Sequence, residues 1–431
     1  MTVLDRTIPL LLRGYAWLPA QRRDAAGLVR TRLLGRPAVA LSGPDAVAFF
    51  YDERHVHRRD ALPGPVLDTL FGRGAVHTLD GEPHRVRKAM FTGALMDEEQ
   101  VSRLIEAVLR HWRDTAGQWA ERGPVVLFDE AAVVLAGAVG EWTGVPHAAR
   151  TARSTAEDCV AMVDGFAAVG PRHLRARRAR ARQEARLART VTRARAASVA
   201  RAGEGTVTAL ERIVRHRDAD GQLLDPPTAA VELLNVIRPT VALTWWVTFA
   251  AHALHGRPDL RAELCAADTP AYETAFAHEV RRFYPFAPFA VGLAAADLDW
   301  HGVRIPRDTL VLLDLFGQNH DPGLWPDPYR FEPARFLGHP PPRDALVPQG
   351  GGDAREGHRC PGEDIAVRVL AVLCTELARM PLQVPDQDLR IPLHRIPTRP
   401  RSGFLFAPAP VPTALARAGG ESGSRNPWGM T

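Results

Sequence analysis

The run Gln349-Gly350-Gly351-Gly352-Asp353-Ala354-Arg355-Glu356-Gly357-His358-Arg359-Cys360-Pro361-Gly362-Glu363 decides how the rest of the chain is read. One cysteine stands between a glycine-rich approach and a Cys-x-Gly exit, and the apolar, helix-patterned segment Ile365 to Leu377 follows it. The spacing predicts a sulfur presented at a helix start, where backbone N–H groups and the helix dipole favour the thiolate. Gly362 lets a flat ligand come close to the backbone. A lone thiolate of this kind can serve as the axial ligand of haem iron, pushing electron density onto the metal. An isolated cysteine is more often a buried core residue, but the surroundings of Cys360 favour the ligand.

The chain has 431 residues, 46% of them hydrophobic, which is enough for a large core in one big domain or two. No apolar run is long enough to span a bilayer and no signal peptide stands out, so a soluble, cytoplasmic protein with no membrane anchor is expected. Cys159, Cys265, Cys360 and Cys374 show no CxxC spacing, which argues against a disulfide framework or a structural zinc site. The formal charge is only +5, and Lys88 is the sole lysine among many arginines. Between Pro171 and Arg201 eleven arginines face one acid, Glu184. That segment reads either as a docking face for a redox partner, membrane or nucleic acid, or as a solvated helix face. No aromatic residues interleave there as stacking platforms, so the solvated face is preferred and no nucleic acid is expected.

Along the chain, Ala38-Val39-Ala40-Leu41 and Leu310-Val311-Leu312-Leu313 read as strands, and Asp97 to about Arg215 reads as mostly helical. A long apolar helix is predicted from Ala229 to Leu254, interrupted at Pro239, and another from Tyr272 to Phe283. The Pro-rich residues 321–348 read as an ordered meander anchored by Trp325, Tyr329, Phe331 and Phe336. A single domain is expected over residues 1–408. Its β-containing portion lies at about 30–70, its helical core at about 75–380 and its cysteine loop at 349–363. The Ala/Pro/Gly/Ser-rich residues 409–431 read as a disordered tail.

Three further groups bear on Cys360. Glu279 and Arg282 are three apart on a predicted helix, share a face and can pair; Arg335 follows in Phe331-Glu332-Pro333-Ala334-Arg335-Phe336. His84 and Lys88 are i, i+4 neighbours in His84-Arg85-Val86-Arg87-Lys88, and Arg58 stands in His57-Arg58-Arg59-Asp60. In this order and spacing, from roughly Arg30 to Phe406, the chain resembles the cytochrome P450 superfamily. The resemblance implies a mainly α fold with small β-sheets, the cytochrome P450 fold, holding haem b through a thiolate. It implies that Glu279, Arg282 and Arg335 lock the haem-binding core. It assigns Arg58 (or Arg59), His84, Lys88 and His358 to the haem propionates, and Cys360 to the iron.

The third group is Leu233-Leu234-Asn235-Val236-Ile237-Arg238-Pro239, in the helix that would cross the far side of the haem. Ordinary members carry an acid or amide followed by Thr there. Here Pro239 lacks an N–H, kinks the helix and frees the Asn235 carbonyl. Arg238, charged in an apolar helix, is costly without an anionic partner. Glu232, six residues away, falls on another face, so the partner is expected to be the substrate, with a haem propionate or a remote acid as the structural alternative.

Arg-Pro at this place is the mark of the fatty-acid peroxygenase branch. Asp353 and Glu356, where the usual loop has Phe and Gly, resemble the same branch, as do Tyr284-Pro285-Phe286-Ala287-Pro288-Phe289 and Val169-Gly170-Pro171-Arg172. The resemblance implies oxidation of fatty acids by hydrogen peroxide at Cα or Cβ, with no redox partner, giving α- or β-hydroxy acids and, by decarboxylation, terminal alkenes. Arg238 would hold the carboxylate, Pro239 shape the helix, and Phe71, Val169, Phe286 and Phe289 line the acyl channel. His77 bears on the choice between hydroxylation, which is favoured, and alkene formation. The competing readings are a reductase-dependent monooxygenase on the same fold and a haem-binding protein without catalysis.

Overall fold

The computed structural model describes residues 4–145, 149–198, 207–266 and 270–408; the expected tail at 409–431 lies outside them. Its helices are α1 (Thr7–Arg13), α2 (Pro44–Tyr51), α3 (Gly64–Val66), α4 (Gly81–Leu95), α5 (Glu98–Arg122), α6 (Leu127–Thr143), α7 (Ala149–Gly165) and α8 (Pro171–Ser198). They continue as α9 (Ala209–Arg215), α10 (Pro226–Val241), α11 (Thr244–Gly256), α12 (Pro258–Ala266), α13 (Pro270–Phe283), α14 (Leu315–Asn319) and α15 (Glu363–Arg379). Short strands make up the rest: β1 (Val29–Leu33), β2 (Arg36–Leu41), β3 (Val56–His57), β4 (Val125–Val126), β5 (Phe289–Ala294), β6 (Leu298–Trp300), β7 (Val303–Ile305), β8 (Leu310–Asp314), β9 (Leu382–Gln383) and β10 (Leu405–Pro408). The result is a mainly helical protein with small sheets. No helix among the described residues is long and apolar enough to cross a membrane.

The two runs read as strands meet each other. β2 and β8 pair in parallel with Ala38 opposite Leu310 and Leu41 opposite Leu313, at the centre of a sheet ordered β1-β2-β8-β5-β3. β8 is buried along its whole length, as a continuous apolar run demands of a central strand. Gly292 in β5 has a specific reason to be glycine. A Cβ there would collide with Val56 on β3 and lie 2.7 Å from Arg58 Nη1. The missing side chain leaves the passage through which Arg58 reaches inward.

The helical core is built around α6, α10, α11 and α15. Nearly all of α10 and α11 is buried, α10 packing against α6 and α8, and α11 against α6 and α15. Trp245 and Phe249 are at most 1% exposed, and burial of each such side chain contributes roughly 1.5–3 kcal/mol. The long distal helix departs from its expected form. It continues through Pro239 and breaks only at Ala242–Leu243, where the Ala242 N–H turns back to the Arg238 and Thr240 carbonyls. Thr244 then opens α11, its hydroxyl donating to the Phe128 carbonyl at 2.6 Å. Pro239 removes one i→i−4 bond, but the packing on both sides holds the next turn helical.

The arginine-rich helix α8 is only partly a solvated face. Arg172 reaches Asp164, Arg182 and Gln183 reach Asp158, Arg180 reaches Glu184 and the Leu70 carbonyl, and Arg195 donates to the Val214 and Leu224 carbonyls. Much of the basic run ties α8 to its neighbours, a use that its composition concealed.

Candidate active site

Cys360 lies two residues before Gly362, the N-cap of α15. Cys360 is half-buried. Gln349 Nε2 approaches Sγ at 3.5 Å, and the place where a Cβ on Gly362 would stand is 3.9 Å from Sγ and from Leu95 Cδ1. Burial pushes the thiol pKa up, opposed by the Gly362 N–H and the Lys88 charge. This corrects the expected helix-start effect, because the sulfur lies outside the first helical turn and burial outweighs the dipole. Coordination to iron would supply the missing stabilisation, since a metal deprotonates its thiol ligand.

Three buried polar groups gather at the cysteine loop. Arg58 leaves β3, its guanidinium over the Phe50 ring at 4.1 Å with Nη2 donating to the Phe50 carbonyl at 3.3 Å. Its backbone N–H is fixed by Asp80 at 2.7 Å. The His84 and His358 rings stack at 3.8 Å. Among the described residues Arg58 Nη1, His84 Nδ1 and His358 Nε2 are buried with no hydrogen-bond partner. The nearest acids stand off at 3.6 to 3.8 Å, from Asp80 and Glu53. Burial, then the His358 and Lys88 charges, pushes His84 down to about 3 against the pull of Asp80. Three buried nitrogens without a hydrogen bond among the described residues fit an anionic ligand, and the carboxylates of haem b are of that kind. Glu53, His84 and His358 could geometrically hold a metal ion, but the neighbouring arginine makes this corner an anion site. Arg59 is exposed and takes no part.

Lys88 departs from its expected place. Its ammonium donates to the Gly357 and Arg359 carbonyls at 2.8 and 2.6 Å, clamping the cysteine loop onto α4. Burial lowers its pKa to about 8, with the Cys360 and Asp353 charges opposing. Behind the loop, Glu279 and Arg282 form a two-pronged pair at 2.7 Å with both side chains fully buried. Arg282 also donates to the Asn319 and Pro328 carbonyls, and the Glu332 N–H bonds Glu279. Arg335 stands 3.7 Å from the same carboxylate.

α10 carries Arg238, 6% exposed and close enough to Cys360 to feel its charge. Nη2 donates to Asn235 Oδ1 at 3.2 Å, the guanidinium lies 5.8 Å from the Phe71 ring, and Nε is buried with no partner among the described residues. Burial, then the nearby Arg180 charge, pushes its pKa down to about 9, which leaves it a cation at neutral pH. His77 packs its ring 4.6 Å from that of Phe71, its Nδ1 likewise unpartnered. Phe71 is the one expected channel residue seen beside Arg238. Phe286 packs on Trp246 at 5.0 Å, Phe289 joins a separate cluster with Leu293 and Leu312, and Val169 is 79% exposed on the α7–α8 turn.

Sequence reasoning set Glu232 aside as lying on another face and did not single out Arg87. Glu232 is fully buried and bonded to Asn235, Arg87 and the Val76 N–H. Its i, i+3 spacing to Asn235 was the available signal.

A half-buried cysteine ahead of α15, a cluster of buried groups suited to an anion and a buried cation on α10 are the arrangement of a haem-thiolate protein. The family model for cytochrome P450 matches residues 269–406. Among solved structures, cytochrome P450SP alpha (CYP152B1) is 40% identical with a TM-score of 0.89, over 94% of this chain and 98% of that one. Cytochrome P450EX alpha (CYP152N1), solved with myristic acid, is 37% identical with a TM-score of 0.87 over 94% and 97%. A variant of cytochrome P450 OleT in complex with arachidonic acid is 33% identical with a TM-score of 0.88 over 94% and 96%. Curated relatives match over shorter stretches. Cytochrome P450 76C4 of Arabidopsis thaliana is 34% identical over 30% of this chain and 27% of its own length. The cyclooctat-9-en-7-ol 5-monooxygenase of Streptomyces melanosporofaciens is 29% identical over 37% of each chain. The chain thus matches only about a quarter to two fifths of the length of these two relatives. The chain belongs to the cytochrome P450 superfamily and, within it, to the fatty-acid peroxygenase branch.

Proposed function

We propose that this chain oxidises fatty acids at Cα or Cβ with hydrogen peroxide alone. The observation that carries the reading is Arg238, a buried cation on α10 with an unsatisfied Nε and no carboxylate in contact among the described residues. A fatty-acid carboxylate is the anion that would satisfy it through a charge-assisted, two-point contact. P450EX alpha and OleT, which resemble this chain over nearly its whole length, were solved with such acids.

Haem b, which Cys360 would hold through its sulfur, would supply the oxidising iron chemistry of the site. Arg58, His84 and His358 would bind its carboxylates, Lys88 holds the loop that presents the sulfur, and Glu279, Arg282 and Arg335 brace the segment behind it. Arg238 fixes the acid by its head, so that Cα and Cβ are the carbons nearest the reacting centre. α10 has no Thr–acid pair at Arg238–Pro239 to move protons. The arginine-held carboxylate is positioned to take a proton from the peroxide and return it. Phe71 and Pro239 form the apolar surroundings of that contact, and His77 faces it as a neutral donor or acceptor. Hydroxylation balances as acid plus H2O2 to hydroxy acid plus water. The alkene branch balances as acid plus H2O2 to terminal alkene, CO2 and two waters.

The test is product analysis by gas chromatography–mass spectrometry on the haem-loaded protein given a long-chain saturated acid and peroxide, with no reductase. Hydroxy acids or the one-carbon-shorter alkene are expected. Arg238→Ala should lower kcat/KM for the acid by about 100-fold, the equivalent of about 3 kcal/mol for truncating one partner of a buried charge pair. Turnover that appears only with an electron-transfer system would overturn the reading in favour of a monooxygenase.

A further inference from the structure

Asn235 is the sole hydrogen-bond partner of the Arg238 guanidinium among the described residues, and its own orientation is dictated from behind. An amide has one acceptor oxygen and two N–H donors. Both acceptors within reach of Nδ2 are fixed: the Phe71 carbonyl at 3.0 Å and Glu232 Oε2 at 3.2 Å. The amide oxygen therefore turns toward Arg238. Glu232, Asn235 and Arg238 follow one another at i, i+3, i+6 and form an inclined row along α10, although the two ends of the row lie on different faces.

Glu232 is itself held. Its Oε1 accepts from the Val76 N–H at 2.8 Å and from Arg87 Nη1 at 2.7 Å, and Arg87 Nε donates to Asp218 Oδ1 at 2.7 Å. Burial pushes its pKa up, but the carboxylate accepts from three donors, one of them the Arg87 guanidinium, and donates to none, the arrangement of an ionised group. It is fully buried, far from any role in solubility, and Arg87 could be satisfied in part by Asp218 and the Gly74 carbonyl without it. What Glu232 provides is the second acceptor, beside the Phe71 carbonyl, that sets the Asn235 amide, and a bond to the turn next to His77.

We propose that Glu232 is a positioning residue for fatty-acid binding: through Asn235 it sets the direction in which Arg238 offers its guanidinium to the substrate carboxylate. The proposal rests on the carboxylate-anchor reading above. Glu232→Gln is the informative change. A glutamine still accepts from Val76 and Arg87 through its oxygen, but its NH2 then confronts the NH2 of Asn235. The Asn235 amide, then held only by the Phe71 carbonyl and repelled by the new NH2, shifts, and its oxygen loses its aim on Arg238.

The experiment measures binding of dodecanoic acid to the haem-loaded protein by isothermal titration calorimetry, with KM and kcat measured separately. The expected result for Glu232→Gln is a Kd and KM raised about tenfold, the effect of one hydrogen bond to a charged group, with kcat nearly unchanged. Asn235→Ala should show the same rise, and the double variant should be no worse than either single one, since both act on one path. Independent, multiplying effects would mean that Glu232 does not act through Asn235, and would overturn the proposal. Should Glu232→Gln not fold, unchanged affinity in Asn235→Ala overturns it equally. Arg238→Ala separates the two layers. If it leaves affinity for the acid intact, the anchor reading itself falls. If it abolishes binding while Glu232→Gln changes nothing, only the positioning role falls.

Discussion

His77 carries the most distinctive choice at the scale of single residues. Its ring is wedged by Phe71 at 4.6 Å, and its pKa is held well below the usual imidazole range by burial first and then by the Arg238 charge. It is therefore neutral wherever the enzyme is handled, and can only donate from one ring nitrogen and accept at the other. His77→Gln keeps a donor and an acceptor but not their ring geometry. The alkene-to-hydroxy-acid ratio should fall severalfold, while KM for the acid stays within about a factor of two, because Arg238 and not His77 would bind the head group. An unchanged ratio would remove His77 from the partition. Cys360 and Arg238 stand out in the sequence because unusual residues in an apolar pattern ask for a partner, whereas His77 is singled out only by the family resemblance. The Asn235 amide direction is not legible there, because it depends on the Phe71 carbonyl, 164 residues away in sequence.

Among elements, α13 and the segment after it show how a short motif becomes a brace. Glu279 and Arg282 are one turn apart and fully buried, and their remaining atoms bind the backbone at Asn319, Pro328 and Glu332. Arg282→Met leaves the Glu279 carboxylate buried without its counter-charge and should cost about 3–5 kcal/mol, seen as loss of folded, haem-loaded protein. Arg335→Ala removes a partner 3.7 Å away and one bond to the Asp327 carbonyl at 2.9 Å. It should cost about 1 kcal/mol in urea unfolding. Equal costs would show that the pair is not the centre of the brace. The pairing could be read from helical spacing alone. The break in the distal helix could not be placed: Pro239 marks a weak point, whereas the contacts of Thr244 with α6 decide where the chain turns.

Over the whole molecule the buried titratable groups set how the fold responds to acid. His278 accepts a bond from Arg281 at 3.1 Å, and burial, followed by that arginine, pushes its pKa down to about 4. His252, against the Tyr284 hydroxyl at 2.9 Å, is pushed by burial to about 4 as well. In the unfolded chain both return to about 6.5. Between these limits the unfolded state binds protons that the native state refuses, so stability falls as pH drops through about 6.5 and goes on falling toward about 4. Above pH 7 neither state binds them and the effect vanishes. Asp314 acts with the opposite sign: burial raises it to about 6, so the native state takes up its proton first and gains stability over part of the same window. A comparison against His278→Gln cancels that contribution along with every other shared group. The glutamine keeps an acceptor for Arg281 but cannot titrate. Urea unfolding at pH 7.5 and pH 5.0 should therefore show the variant losing about 2 kcal/mol less than the parent on acidification, from about 1.4 kcal/mol per pH unit below the unfolded-state pKa. Identical losses in the two proteins would mean that His278 titrates in the native state as it does in the unfolded one, and that its burial beside Arg281 does not govern its charge.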